Sequence, residues 1–104
     1  MFGLLKKLFG GGNEHLKDAI ERGAIIIDVR SPAEYAQGHV KGSVNVPLQM
    51  VCSQINQIKK YKKPVITCCR SGMRSGNAAG QLKSAGIEVY NGGSWGSVER
   101  LMKN

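Results

Sequence analysis

Near the middle of the chain an apolar run ends at two cysteines and passes into a short loop with two arginines: Thr67-Cys68-Cys69-Arg70-Ser71-Gly72-Met73-Arg74-Ser75. A cysteine acts as a nucleophile through its thiolate, and nearby guanidiniums or a helix N-terminus favour that charge. The stretch is therefore the candidate active site, with one of the two cysteines as nucleophile. Counted from Cys69 the loop is C-x4-R and closes at Arg74; counted from Cys68 it is C-x5-R, followed by Ser75. The extra residue makes the longer loop the wider cradle. Backbone N–H groups of so tight a curl can converge on a thiolate as a nest. Gly72 helps the loop curl, and Arg70 and Arg74 offer planar forks to an anionic substrate.

The flanking segments predict the scaffold for this loop. Asn13 caps a helix from Glu14 to about Arg22, with Leu16, Ala19 and Ile20 inward and Gly23 as its stop. Ala24 to Asp28 is a β-branched run without alternation, suited to a strand covered on both faces. Ser31, Pro32 and Glu34 form a capping-box start for a very short helix through Ala36. Ser43 to Val46 is a second strand ending at Pro47. Leu48, Val51, Ile55 and Ile58 mark an amphipathic helix up to Tyr61, and Cys52 on it reads as packing. Val65 to Cys68 is the third strand, Ser75 to Ala85 a helix with Ala78, Ala79 and Leu82 inward, and Ile87 to Tyr90 the fourth strand. Asn91-Gly92-Gly93 reads as a turn and Val98 to Met102 as a last helical turn. Strands alternating with helices imply an α/β fold, a small and mainly parallel sheet of four or five strands with helices on both faces. On such sheets sites gather at the carboxyl ends of the strands, where Asp28, Cys68-Cys69 and the Asn91-Gly92-Gly93 turn can meet.

The 104 residues carry 15 Lys plus Arg against 7 Asp plus Glu, a formal net charge of +8, which draws anions without naming one. Neither an aromatic-rich RNA signature nor zinc-finger spacing accompanies the charge, so no nucleic-acid partner is expected. Lys59, Lys60, Lys62 and Lys63 read as a solvated helix end. Three cysteines, at 52, 68 and 69, do not make a disulfide framework, and no Cys/His set has metal spacing; neither a metal nor a cofactor is expected. Residues 1–12, MFGLLKKLFGGG, form a short amphipathic arm with a glycine joint at Gly10-Gly11-Gly12, ahead of a single domain over 13–104. The arm lacks a signal-peptide core, so a cytoplasmic monomer is expected, with the arm docked on the domain in preference to a membrane surface.

Four segments in order resemble a known family. They are Asp28-Val29-Arg30; Glu34-Tyr35 with Gly38-His39-Val40, Gly42-Ser43 and Asn45-Val46-Pro47; Cys69 through Ser75; and Asn91-Gly92-Gly93 followed by Trp95. Together they resemble a single-domain rhodanese. The resemblance implies a sulfurtransferase in which Cys69 cycles between thiol and persulfide. Its donor would be an anionic sulfane-sulfur compound such as thiosulfate or a polysulfide, and its acceptor a thiol, cyanide or a small redox protein. It also places Arg70, Ser71, Gly72, Met73 and Arg74 around the substrate, with Asp28, Arg30 and Ser75 in support. Asp28 can reach the loop or Arg74, or pair with Arg30; Arg30 and Glu34 are spaced for a local ion pair. His39 falls at an architectural position of the family, and Trp95 is a packing anchor or a pocket wall. Two other classes stand beside this one. A cysteine phosphatase or arsenate reductase would use Cys68 in the longer loop, though Thr67 stands where phosphatases place a His. A noncatalytic rhodanese-like binding module often lacks the loop cysteine, which is present here.

Overall fold

The computed structural model describes residues 11–103. Residues 1–10 of the arm predicted over 1–12 lie outside them. Helix α1 (Gly11–Glu21) leads to strand β1 (Ile25–Asp28), helix α2 (Pro32–Gln37), strand β2 (Val44–Asn45), a 3-10 turn at Leu48–Met50 and helix α3 (Val51–Lys60). Strand β3 (Val65–Cys69), helix α4 (Met73–Ser84), strand β4 (Val89–Ser94) and helix α5 (Trp95–Lys103) follow. The sheet has order β2-β1-β3-β4 and every neighbouring pair is parallel.

Both faces are covered, which explains why the strands read as unbroken apolar runs. On one side Ile27, Val29, Val65 and Cys69 pack with Val51, Ile58, Ala78 and Leu82 of α3 and α4. On the other, Ile26, Ile66 and Cys68 meet Leu16 and Ala19 of α1 and Val98 of α5. The capping box of α2 forms as expected: the Glu34 amide donates to Ser31 Oγ at 3.2 Å and the Ser31 amide to Glu34 Oε1 at 3.1 Å.

Several boundaries differ from the sequence reading. α1 begins at Gly11, so Gly11-Gly12 are its first residues and not a joint, and Asn13 sits in its first turn instead of capping it. Leu48–Met50 wind as a 3-10 turn before α3, with the Met50 N–H donating to the Pro47 carbonyl at 2.7 Å. Cys52 is exposed, not packed. α4 starts two residues early, at Met73, directly after the loop.

The largest difference lies in β4, where the expected turn at Asn91-Gly92-Gly93 is part of the strand. Thr67 of β3 pairs with Asn91, and two residues later Cys69 pairs with Ser94, three residues on, so β4 carries one extra residue there. Gly93, at φ +79, supplies the left-handed geometry such a bulge needs. The bulge delivers the chain straight into α5, which spans nine residues from Trp95 instead of a single turn from Val98.

Gly92 sets how closely α5 approaches the sheet. A Cβ there would lie 2.6 Å from Val98 Cγ2, 2.7 Å from Ile66 Cγ2 and 2.9 Å from the Thr67 carbonyl oxygen, and the last cannot move aside. Gly92→Ala is expected to cost about 1–3 kcal/mol in chemical denaturation. Gly80→Ala, in the open on α4 with nothing within 4 Å, should instead add roughly 0.5–1 kcal/mol.

Candidate active site

β3 brings two adjacent cysteines to the carboxyl edge of the sheet, and the two-residue period of a strand sends them to opposite faces. Cys68 enters the cluster with Leu16, Ile66 and Val98, and Cys69 the cluster with Val51 and Ala78. The residues after Cys69 curl back over its own sulfur. Gly72, at φ +105 immediately before α4, donates its amide to Cys69 Sγ at 2.9 Å. Ser75, buried in the first turn of α4, sets its amide and its Oγ each 3.4 Å from the same atom. Thr67 Oγ1 donates to the Ser75 carbonyl at 2.9 Å, which ties the start of α4 to β3.

Burial is the largest influence on the Cys69 thiol and acts to raise it. The Ser75 hydroxyl, followed by the amides of Ser75, Gly72 and Ser71, outweighs burial and holds the thiol below its ordinary value. Cys68 is in the opposite situation. Burial, and then the neighbouring Asp28 carboxylate, push it up to about 12. It is a protonated core thiol at neutral pH. The longer C-x5-R loop, which would use Cys68, therefore has its cysteine on the wrong face of the sheet.

The arginines are placed differently from the sequence expectation of two free forks. Arg74 is clamped by Glu34 of α2, with Nη1 to Oε1 at 2.8 Å and Nη2 to Oε2 at 2.9 Å. Hydrogen bonding to Arg74 accordingly holds the Glu34 carboxyl down to about 2. The local Arg30–Glu34 ion pair does not form, because Arg30 turns to Asp28: its Nε lies 2.9 Å from Oδ1 and its Nη2 lies 2.6 Å from Oδ2. Asp28 thus supports Arg30 and not the loop or Arg74, and this pair is buried. Arg30 also donates to the Gly38 carbonyl at 2.7 Å and stacks its guanidinium 5.0 Å from the centroid of Trp95.

Arg70 is exposed and enters no ion pair among the described residues. It borders a cavity of about 370 Å³ whose walls include Arg30, Glu34, Gly38 and Trp95, so Trp95 is a packing residue and a wall at once. Ser71 and Met73 are exposed at the loop's outer rim, Met73 at 83%. His39 stacks on Tyr35 with ring centroids 3.7 Å apart, in keeping with an architectural role. Among the described residues no cluster of three or more His, Cys, Asp or Glu gathers as a metal site, and no helix is long and apolar enough to cross a membrane.

Two contacts of the site were not read from the sequence: Glu34 on Arg74, and Asn91 Oδ1 accepting from the Ser75 hydroxyl at 2.6 Å. The sequence signal for Asn91 was its place after a strand, at the sheet edge that also carries Cys69.

The Rhodanese-like domain family model matches residues 12–96, and the chain belongs to that family. It is 42% identical over 87 residues to the uncharacterized protein YqhL of Bacillus subtilis, covering 79% of this chain and 68% of YqhL. With the thiosulfate sulfurtransferase GlpE of Pseudomonas fluorescens it shares 34% over 79 residues, 75% of this chain and 72% of that one. A solved structure described as a rhodanese with anions from E. coli superposes with a TM-score of 0.67 at 35% identity, over 72% of this chain and 91% of the other. The chain spans as little as 15% of the length of the curated relatives it matches.

These opposed thiols can be told apart in the native protein. Iodoacetamide should alkylate Cys69 with a midpoint below the 8.5 or so of a free cysteine, and leave Cys68 unmodified up to about pH 9. Ser75→Ala removes a donor to the thiolate, so the Cys69 midpoint should move upward; peptide mass spectrometry across a pH series reads both.

Proposed function

We propose that this protein is a sulfurtransferase that carries sulfur as a persulfide on Cys69. The observation that carries the reading is the convergence of the Gly72 amide, the Ser75 amide and the Ser75 hydroxyl on a single sulfur. That arrangement favours a thiolate on Cys69, the sulfur that opens the six-residue loop. The likeness to proteins named sulfurtransferases supports it.

In the first half-reaction the Cys69 thiolate attacks the outer sulfur of a sulfane donor such as thiosulfate. The S–S bond of the donor breaks, sulfite leaves with the electron pair, and a Cys69 persulfide remains. In the second, a thiolate or cyanide attacks the outer sulfur of that persulfide, and Cys69 departs as a thiolate. Each step needs the Cys69 sulfur to accept or give up negative charge without solvent rearrangement, which fixed amides allow. The two displacements share no ternary complex, so the kinetics are ping-pong. Arg70 is the cation placed to meet an anionic donor, with Arg74 engaged by Glu34. No cofactor enters the scheme, and a small redox protein presenting a thiol serves as acceptor as well as a small molecule does.

Intact mass after incubation with thiosulfate should show one added sulfur atom, lost again on adding cyanide. Cys69→Ser should take up none and Cys68→Ser should behave as wild type; the reverse pattern would sink the assignment. Arg70→Ala removes one charge-assisted contact and should raise KM for thiosulfate by about tenfold with a smaller change in kcat. Turnover of an aryl phosphate with no persulfide would favour phosphatase chemistry instead.

A further inference from the structure

Asn91 makes no hydrogen bond to the sulfur, yet it bonds Gly72 and Ser75, the two residues whose groups do. Its Oδ1 accepts the Ser75 hydroxyl at 2.6 Å and the Gly93 amide at 3.0 Å, and its Nδ2 donates to the Gly72 carbonyl at 3.1 Å. Ser75 Oγ lies 3.4 Å from Cys69 Sγ, and the Gly72 amide 2.9 Å from it. A serine hydroxyl has one proton to give. Ser75 can therefore donate to Asn91 or to the sulfur, but not to both.

Which one it serves depends on the charge of the sulfur. A protonated Cys69 donates S–H to Ser75 Oγ, and Ser75 in turn donates to Asn91, an unbroken S–H···O–H···O=C line. A thiolate has no proton and can only accept. The hydroxyl then gains more by turning to the charged sulfur, and Asn91 Oδ1 is not stranded, because the Gly93 amide still donates to it. In the persulfide the negative charge sits on the outer sulfur, so the inner one no longer competes for the hydroxyl.

We propose that Asn91 is a positioning residue that competes with Cys69 for the Ser75 hydroxyl, releasing it to the sulfur whenever Cys69 stands as a thiolate and reclaiming it when that sulfur is protonated or loaded. The hydroxyl swings once in each half-reaction and no proton leaves the site. The role in turnover rests on Cys69 as the sulfur carrier; the competition itself does not.

The test is the pH midpoint of Cys69 alkylation by iodoacetamide in Asn91→Ala, Ser75→Ala and the double variant, all in a Cys52→Ser background to remove the exposed thiol. Cys68, Asp28, Arg30, Glu34, Arg70 and Arg74, the ionisable groups at this end of the sheet, are the same in all of them. Removing the competitor should lower the midpoint by about 0.7 of a pH unit, the worth of one hydrogen bond. Removing Ser75 should raise it, and Asn91→Ala should then have no further effect. A midpoint that rises in Asn91→Ala, or one that shifts equally with and without Ser75, overturns the proposal. Asn91→Asp, close in shape and a stronger acceptor, guards against loss of folding in the alanine variant: its charge raises the midpoint in any background, the competition adds to that rise only where Ser75 is present, and an equal rise with and without Ser75→Ala overturns the proposal. Persulfide formation is followed in the same proteins. Midpoints in the expected order without sulfur uptake by wild type would leave the competition standing and remove the sulfurtransferase reading; sulfur uptake with the wrong order does the converse.

Discussion

The buried pair of Asp28 and Arg30 is the constraint on which the active end of the molecule depends. Two residues apart at the exit of β1, they meet through a carboxylate that also accepts the Arg30 amide at 3.0 Å. Such a pair is weak evidence of net stability, since desolvating both charges is costly, but removing one partner leaves the other buried and unmatched. Its value here is directional. With one edge of its guanidinium on Asp28, Arg30 reaches the Gly38 carbonyl and lies along Trp95. Asn45 of β2 completes the junction by donating to the Asp28 and Arg30 carbonyls, each at 3.0 Å. The segment from Ser31 to Gly38 is thereby fixed against the sheet, and α2 within it presents Glu34 to Arg74.

From there the hold passes into the loop. Glu34 is at once a member of the α2 capping box and the clamp on Arg74, so the geometry of one short helix bears on the first turn of α4, forty residues on. The outcome is a division of labour between charge and dipole. The guanidiniums nearest the thiol serve the scaffold or the mouth of the site, while the thiolate is supported by fixed amides and one hydroxyl. Dipoles of this kind are screened less by salt than a surface arginine is, because they act at contact and away from water. The groove at the other end of the sheet, lined by Lys59, Lys62, Lys63 and the paired Arg22 and Glu88, has no part in this arrangement.

Much of the fold was legible in sequence because its signals are local. The β-branched Ala24–Asp28 run, the Ser31-Pro32-Glu34 cap and the three-four spacing of Leu48, Val51, Ile55 and Ile58 each state their element with little help from elsewhere. The double glycine was misread for a physical reason: Gly92 and Gly93 mark a turn by composition, but here one is needed for close packing and the other for a bulge, and only the partner strand distinguishes these uses. In the site, the family resemblance pointed to Cys69, yet pairings across the fold stayed hidden. Arg74 finds Glu34 forty residues away, and Asn91 finds Ser75 across the edge of the sheet. Neither follows from spacing along one helix or strand.

Adjacent in sequence, Cys68 and Cys69 are divided by the sheet itself. A vicinal disulfide would require that strand to break its pleat, and the Cys68 thiol, buried and protonated, offers no attack on its neighbour. On the proposed chemistry, a sulfur loaded on Cys69 has no exit through Cys68, so two thiols that touch in sequence act as strangers and release waits on a thiol that comes from elsewhere.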